Sequence, residues 1–308
     1  MKPPRILFAV LVGVAAMVIV LPAAAQVQPH QAEKIRAAAP EKARVAPQKP
    51  RTVLIWNTPP SLMTKDPHRG YCIPFGECAM KTLGEKTGAF TPVVSDDLAM
   101  FLPDKIRRFD AIVMNNSSGQ WIRPAEADMG KMKAYGADQD AVEKVFRQSL
   151  LDWVSRGGGI VAYHFATGAN PKWPEFRELL GVTFTGHPWN EEVGIRNEEP
   201  GHPLLAAFGG KNFRIADEIY QFGDPYSRKK LRVLLSIDTK TTNMNVKWLG
   251  RKDSDFAQAW VKPYGKGRVF CCGIGHRTEI YWNPLVLQFY LDAIQFATGD
   301  LSAPMEPR

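Results

Sequence analysis

The chain has 308 residues, with 39 lysines and arginines against 31 acidic residues, a formal net charge of +8 and four cysteines. Residues 1–25 carry +2 (Lys2, Arg5) and residues 26–51 carry +4 (Lys34, Arg36, Lys42, Arg44, Lys49 and Arg51 against Glu33 and Glu41), which leaves +2 for the rest. That excludes a dedicated nucleic-acid surface, which needs a basic stripe on the folded body, and the lack of any CxxC pair excludes the common zinc and redox spacings.

The first 25 residues read as an export leader: Lys2 and Arg5, an apolar run from Ile6 to Leu21, then Ala23-Ala24-Ala25 as the cleavage signal. The cut falls after Ala25, and the body is expected outside the cytoplasm, periplasmic or secreted. Contact with a membrane is expected only if the segment stays uncleaved. Residues 26–51 are rich in Ala, Pro, Gln, Lys and Arg without hydrophobic periodicity, and read as a disordered linker. A single α/β domain over residues 52–299 and a tail at 300–308 complete the expected organisation.

Arg51 to Trp56 is a first strand, ending at Asn57-Thr58-Pro59-Pro60. A loop carrying His68 leads to a helix from about Pro74 to Lys86. Phe90–Val94 and Ala111–Met114 read as the second and third strands, the latter ending in Asn115-Asn116. The helix starting at Asp140 has one apolar face of Val142, Val145, Phe146, Leu150, Trp153 and Val154. It stops at the glycines 157–159. The apolar run Ile160 to Tyr163 is a buried fourth strand and delivers His164 at its end. Strand, helix and strand in this order imply a parallel sheet.

Further on, Pro174–Leu180 reads as a short helix and Phe184–Asn190 as a loop. Glu192–Arg196, Arg214–Tyr220 and Arg232–Asp238 read as strands, partly antiparallel. Phe256–Val261 and Arg268–Ile274 form a hairpin through Pro263–Gly267, its second strand ending at Gly275-His276. Asn283 caps a closing helix with Pro284 in its first turn. Cys72 and Cys78 are close enough in sequence to pair across a loop. Cys271 and Cys272 point to opposite faces of a strand.

Polar groups stand at several strand ends: Asn57, Asn115, His164 and His276. In an open α/β sheet the crevice beyond the carboxyl ends of the strands is where ligands bind. Two imidazoles meeting there suit either an acid/base pair or two ligands of a divalent metal. Glu218, in Ala216–Tyr220, supplies a carboxylate, and Asp217 beside it is an alternative. His187 and His202, each followed by Pro, are either further site groups or turn residues. Trp189, Tyr220 and Trp282 are core aromatics or sugar-stacking surfaces. No nucleophile elbow of the G-x-S-x-G type is present.

The order of these signals carries a resemblance. Gly157–Gly159, the apolar strand and His164-Phe165-Ala166-Thr167 come first. Trp173, Glu175-Phe176, Leu179-Leu180-Gly181, Gly186-His187-Pro188 and His202-Pro203-Leu204 follow. Asp217–Tyr220, Ala259-Trp260-Val261, Tyr264–Phe270 and Gly275-His276 complete the set. The sequence resembles the trehalose-utilisation (ThuA-like) family over about residues 52–299. The resemblance implies a class I glutamine amidotransferase-like fold, a flavodoxin-like three-layer sandwich with a mainly parallel central sheet. The amidotransferases place a catalytic cysteine and histidine where this chain has His164 and His276, so that reaction is expected to be absent.

The resemblance also implies a role in disaccharide or keto-sugar catabolism. The expected site is His164, His276 and Glu218 as catalytic groups, with His187, Trp189, Asn115, Tyr220 and Trp282 around a small carbohydrate. Three readings remain open: a sugar-processing enzyme, by hydrolysis, elimination or isomerisation; a carbohydrate-binding protein of the cell envelope without catalysis; and a structural partner in a cell-envelope assembly.

Overall fold

Short runs of branched apolar residues build the strands β1 (Thr52–Trp56), β2 (Thr91–Ser95), β3 (Ala111–Asn115), β4 (Gly159–Tyr163) and β9 (Gly267–Cys272), which pair in parallel in the order β2-β1-β3-β4-β9. The sheet continues antiparallel through β8 (Ala257–Tyr264), β7 (Arg232–Ile237), β5 (Thr183–Asn197) and β6 (Phe213–Gly223). Because the direction alternates along this arm, β7 and β6 run with the parallel set and only β8 and β5 run against it. The computed structural model describes residues 26–62 and 67–308; the expected leader, residues 1–25, lies outside the described residues. Among those described, no helix is long and apolar enough to cross a membrane.

Side chains of a strand alternate between faces, and both faces of the parallel sheet are covered. Val53, Ile55, Val113, Val161 and Cys272 pack on one face with Phe75, Met80 and Leu83 of α2 (Ile73–Thr87) and Leu287, Leu291 and Ile294 of α7 (Pro284–Thr298). Leu54, Trp56, Ile112, Ile160 and Cys271 pack on the other with Val142, Phe146 and Leu150 of α5 (Gln139–Ser155) and Phe176 and Leu179 of α6 (Pro174–Leu180). The result is the three-layer α/β arrangement expected, with single helical turns α3 (Pro103–Ile106) and α4 (Met129–Met132) in the connections. Asn283 caps α7 by accepting from the N–H of Leu285 at 3.0 Å and of Val286 at 3.4 Å.

Residues 26–51 depart from the disordered linker expected of them. Pro29–Ala38 forms a helix, α1, with Ile35 fully buried. Lys86 Nζ caps its end by donating to Arg36 O at 2.9 Å and Ala39 O at 2.7 Å. The chain then runs as a strap over α7. Arg44 pairs with Asp292 at 2.7 Å, and the Gln295 amide accepts from Arg44 N and donates to Val45 O. Arg51 bridges Asp300 at 2.6 Å and Asp110 at 3.1 Å. Arg44, Lys49 and Arg51, which suggested solvation, are ion-paired instead, and the apolar contacts of Ile35, Ala39, Ala43 and Val45 are spread along an irregular segment, so no periodicity announces the docking. The tail is also fixed: Pro304 O accepts from His202 Nε2 at 2.9 Å.

Two smaller expectations are corrected. Phe184–Asn190 is not a loop but the start of β5, where two register shifts against β6 break the alternation that would mark a strand. Cys72 and Cys78 do not pair. They stand at the start of and within α2, roughly 9 Å apart in helix rise, beyond disulfide reach.

Burial disfavours ionisation of Asp300 and Asp110, but hydrogen bonds from Arg51 and from backbone N–H groups outweigh it, and both carboxyls lie below their ordinary value. A depressed carboxyl stabilises the fold above its unfolded pKa, and that contribution is lost as pH falls through the folded one. The urea midpoint is therefore expected to fall as pH drops below about 4. Asp300→Asn should be less stable at neutral pH and show a shallower acid slope; an unchanged slope would remove this ion pair from the account.

Candidate functional site

Strand β4 ends at Tyr163, and the next residue leaves the sheet through an unusual backbone. His164 has φ +48° and begins the 3-10 turn His164–Gly168, and its side chain is fully buried. Left-handed backbone in a non-glycine residue is uncommon and costs about 1–3 kcal/mol. It aims the imidazole across the carboxyl end of the sheet. There His164 Nδ1 lies 2.9 Å from Gly273 O, just past the end of β9. A carbonyl only accepts, so Nδ1 carries the proton and Nε2 presents a lone pair. The Tyr220 hydroxyl donates to that Nε2 at 2.7 Å, with its ring stacked on the imidazole at 4.3 Å.

His276 arrives from the segment after β9. Its Nδ1 is 3.2 Å from His164 Nε2 and 3.8 Å from Glu218 Oε1. Glu218 Oε1 is 3.7 Å from His164 Nε2, and its Oε2 faces His187 Nδ1 at 3.6 Å. His68, from the loop before α2, places its ring 5.4 Å from that of His164 and 5.2 Å from that of His276, stacked on Phe165 at 4.8 Å. One ligand atom from each of His68, His164, Glu218 and His276 lies within 4.8 Å of the others.

The far arm of the sheet reaches this rim through Asp217. Its carboxylate accepts from the backbone N–H of Gly275 at 2.6 Å, His276 at 3.1 Å and Arg277 at 2.7 Å. One buried side chain thus fixes the loop carrying His276 against the strand carrying Glu218 and Tyr220. Burial pushes the Asp217 carboxyl up to about 7, against the pull of those N–H groups. Burial, reinforced by the neighbouring imidazole of His68, holds His164 well below its ordinary value, so it is neutral at physiological pH. Burial lowers His276 too, opposed by Glu218.

These groups fit a divalent cation. Two ligands about 2.05 Å from a tetrahedral centre stand about 3.3 Å apart, close to the 3.2 Å between His164 Nε2 and His276 Nδ1. A neutral imidazole whose other nitrogen donates to a backbone carbonyl is the usual form of a ligating histidine. Grooves of about 820 and 830 Å³ lie at the opposite rim, around Gln48, Lys49 and Arg51.

The sequence profile described as ThuA, trehalose utilisation, matches residues 53–297. The chain belongs to the ThuA family. The family is linked to trehalose utilisation. A ThuA-like protein from Bacteroides uniformis has the same fold, with TM-score 0.59 at 23% identity over 82% of this chain and 92% of its own. A ThuA-like protein from Parabacteroides merdae gives TM-score 0.52 at 17% identity over 83% and 93%. No curated protein sequence matches the chain.

Within this ThuA-family chain, the fold brings together His164, His276, Glu218, Tyr220 and His187, and leaves out three residues expected beside them. Trp189 is fully buried, its indole donating to Asn243 O at 2.8 Å and its ring edge-on to Phe256. Trp282 packs against Phe75 beneath the Lys34 ammonium. Asn115 is buried, donating to Asn57 Oδ1 at 2.7 Å and Ile73 O at 2.9 Å and accepting from Tyr163. His202 caps the turn Pro203–Phe208. His68 carries no signal in the sequence as a ligand-type residue; its Pro67-His68 loop has no pattern, and only tertiary packing carries it to the rim. At the end of β3 it is not Asn115 but its neighbour Asn116, at φ +48°, that reaches the Gly275 segment, donating to Gly275 O at 3.4 Å and to Tyr281 Oη at 2.8 Å.

Gly275 is required twice. Its φ is +140°, and an added Cβ would stand 3.0 Å from Tyr163 Cδ2 and 3.2 Å from His164 Cβ. Gly275→Ala is expected to lower stability by about 1–3 kcal/mol, read as a drop in urea midpoint. An unchanged midpoint would mean that the loop holding His276 is not held this tightly.

Proposed function

We propose that the chain is an exported enzyme of carbohydrate utilisation whose site is a divalent-metal centre held by His68, His164, Glu218 and His276. The observation that carries this reading is the convergence of three imidazoles and one carboxylate with the His164 tautomer already set. Two imidazole nitrogens 3.2 Å apart, with a carboxylate oxygen 3.7 and 3.8 Å from them, make a site that a cation would stabilise. Neutral nitrogen donors suit zinc or a similar transition ion. Such an ion, when bound, polarises a carbonyl or hydroxyl oxygen.

The chain's own groups do the rest. Tyr220 stacks on His164 and fixes its plane. His187, at the open side of Glu218, is the imidazole able to exchange protons between a substrate hydroxyl and solvent. The residue in the turn after β4 is His164 rather than a thiol, which argues against glutamine hydrolysis. The link of the family to trehalose utilisation supports a disaccharide or a keto-sugar derived from one as substrate. The basic n-region, apolar run and Ala23-Ala24-Ala25 support export.

Calorimetric titration of chelator-treated protein with zinc is expected to give one ion per chain. Glu218→Gln and His276→Ala should each weaken that affinity by at least about tenfold. Cobalt substitution should give the visible absorption of a low-symmetry nitrogen-ligated site. A chain that binds none of zinc, cobalt and manganese overturns the metal centre. A sugar panel recovered unchanged from metal-loaded protein overturns the enzyme assignment.

A further inference from the structure

Four large apolar side chains stand exposed among the described residues: Tyr71, Val94, Trp248 and Leu285. The two aromatic ones both border the His/Glu cluster. Trp248, 70% exposed, sets its ring 5.6 Å from that of His187, whose Nδ1 faces Glu218. Tyr71, 39% exposed, sets its ring 5.0 Å from that of His276.

The Trp248 backbone is held in place rather than loose. Its φ is +66°, a genuine outlier for a bulky side chain. The buried Gln221 side chain clamps the segment just after the indole: its Nε2 donates to Trp248 O at 2.7 Å and its Oε1 accepts from Gly250 N at 2.9 Å. Arg251 adds a bond to Phe222 O at 2.7 Å. Gln221 and Phe222 belong to β6, the strand that also supplies Glu218 and Tyr220. The element that carries the carboxylate therefore also fixes the backbone that presents the indole, and strained backbone of this kind persists where surrounding structure over-determines it.

The geometry points to Trp248 and Tyr71 as sugar-stacking platforms on either side of the cluster, so that the site takes a disaccharide with one ring on each. A pyranose has apolar C–H faces and a polar hydroxyl rim. Two exposed aromatic side chains, one beside His187 and one beside His276, match that division. This rests on the carbohydrate reading above and adds the residues that hold each ring.

The test uses the zinc-treated full chain, with calorimetric titration of trehalose, maltose, cellobiose, sucrose and glucose. Wild type is expected to bind at least one disaccharide more tightly than glucose. Trp248→Ala should weaken that disaccharide by about tenfold or more, with less change for glucose, and with zinc stoichiometry and melting temperature unchanged. Trp248→Phe should recover most of the affinity, and Tyr71→Ala should also weaken the disaccharide. Equal disaccharide affinity in wild type and Trp248→Ala overturns the proposal, as does a wild type that binds none of the five sugars. A chain that takes up no zinc yet binds a disaccharide through Trp248 keeps this proposal and removes only the metal centre.

Discussion

The hydrogen bond from His164 Nδ1 to Gly273 O is the interaction on which the site depends. It exists because β4 and β9 are parallel neighbours in register, Tyr163 opposite Cys272, so that each leaves the sheet at the same level. The bond does two things at once. It ties the turn after one strand to the segment after the other, and it decides which imidazole nitrogen is bare. The left-handed backbone at His164 would otherwise relax; buried on all sides and anchored at its ring, it has no lower-energy alternative within the packed rim.

A second constraint brings in the far arm of the sheet. β6 is the last strand of the sheet, four neighbours beyond β9, yet it supplies Glu218 and Tyr220. The link is Asp217, whose two oxygens gather three successive backbone N–H groups of residues 275–277. Such a carboxylate acts as a local substitute for missing sheet pairing. Alternation along β6 then does the sorting: Asp217 is buried toward the loop, Glu218 faces the imidazoles, and Gln221 reaches back to hold the segment at Trp248.

Much of this was legible because the parallel strands are so apolar. Runs such as Ala111–Met114 and Ile160–Tyr163 admit few readings, and a polar residue directly after them stands out. His164 and His276 were visible for that reason. Asn115 was chosen over Asn116 because a strand pattern gives alternation but not the positive φ that turns Asn116 toward the Gly275 segment. Trp189 and Trp282 could not be sorted from rim aromatics, since an indole reads the same in a core and at a mouth. His68 and Trp248 lie in irregular connections, where no period exists to read. Residues 26–51 misled for a different reason: composition reports charge but not partners, and Arg44 and Arg51 find theirs in Asp292 and Asp300.

Those partners carry one more implication. Arg44 and Arg51 are separated from Asp292 and Asp300 by 248 and 249 positions, nearly the whole polypeptide. During synthesis, the strap emerges first and its anchors emerge last. It therefore has to wait, undocked, until the final helix is in place, and its closure marks the end of assembly. Contacts of such long sequence separation form late because loop-closure entropy opposes them. Until that latch shuts, Ile35 and the surface of α7 beneath the strap stay in water, and only its closing removes them from it.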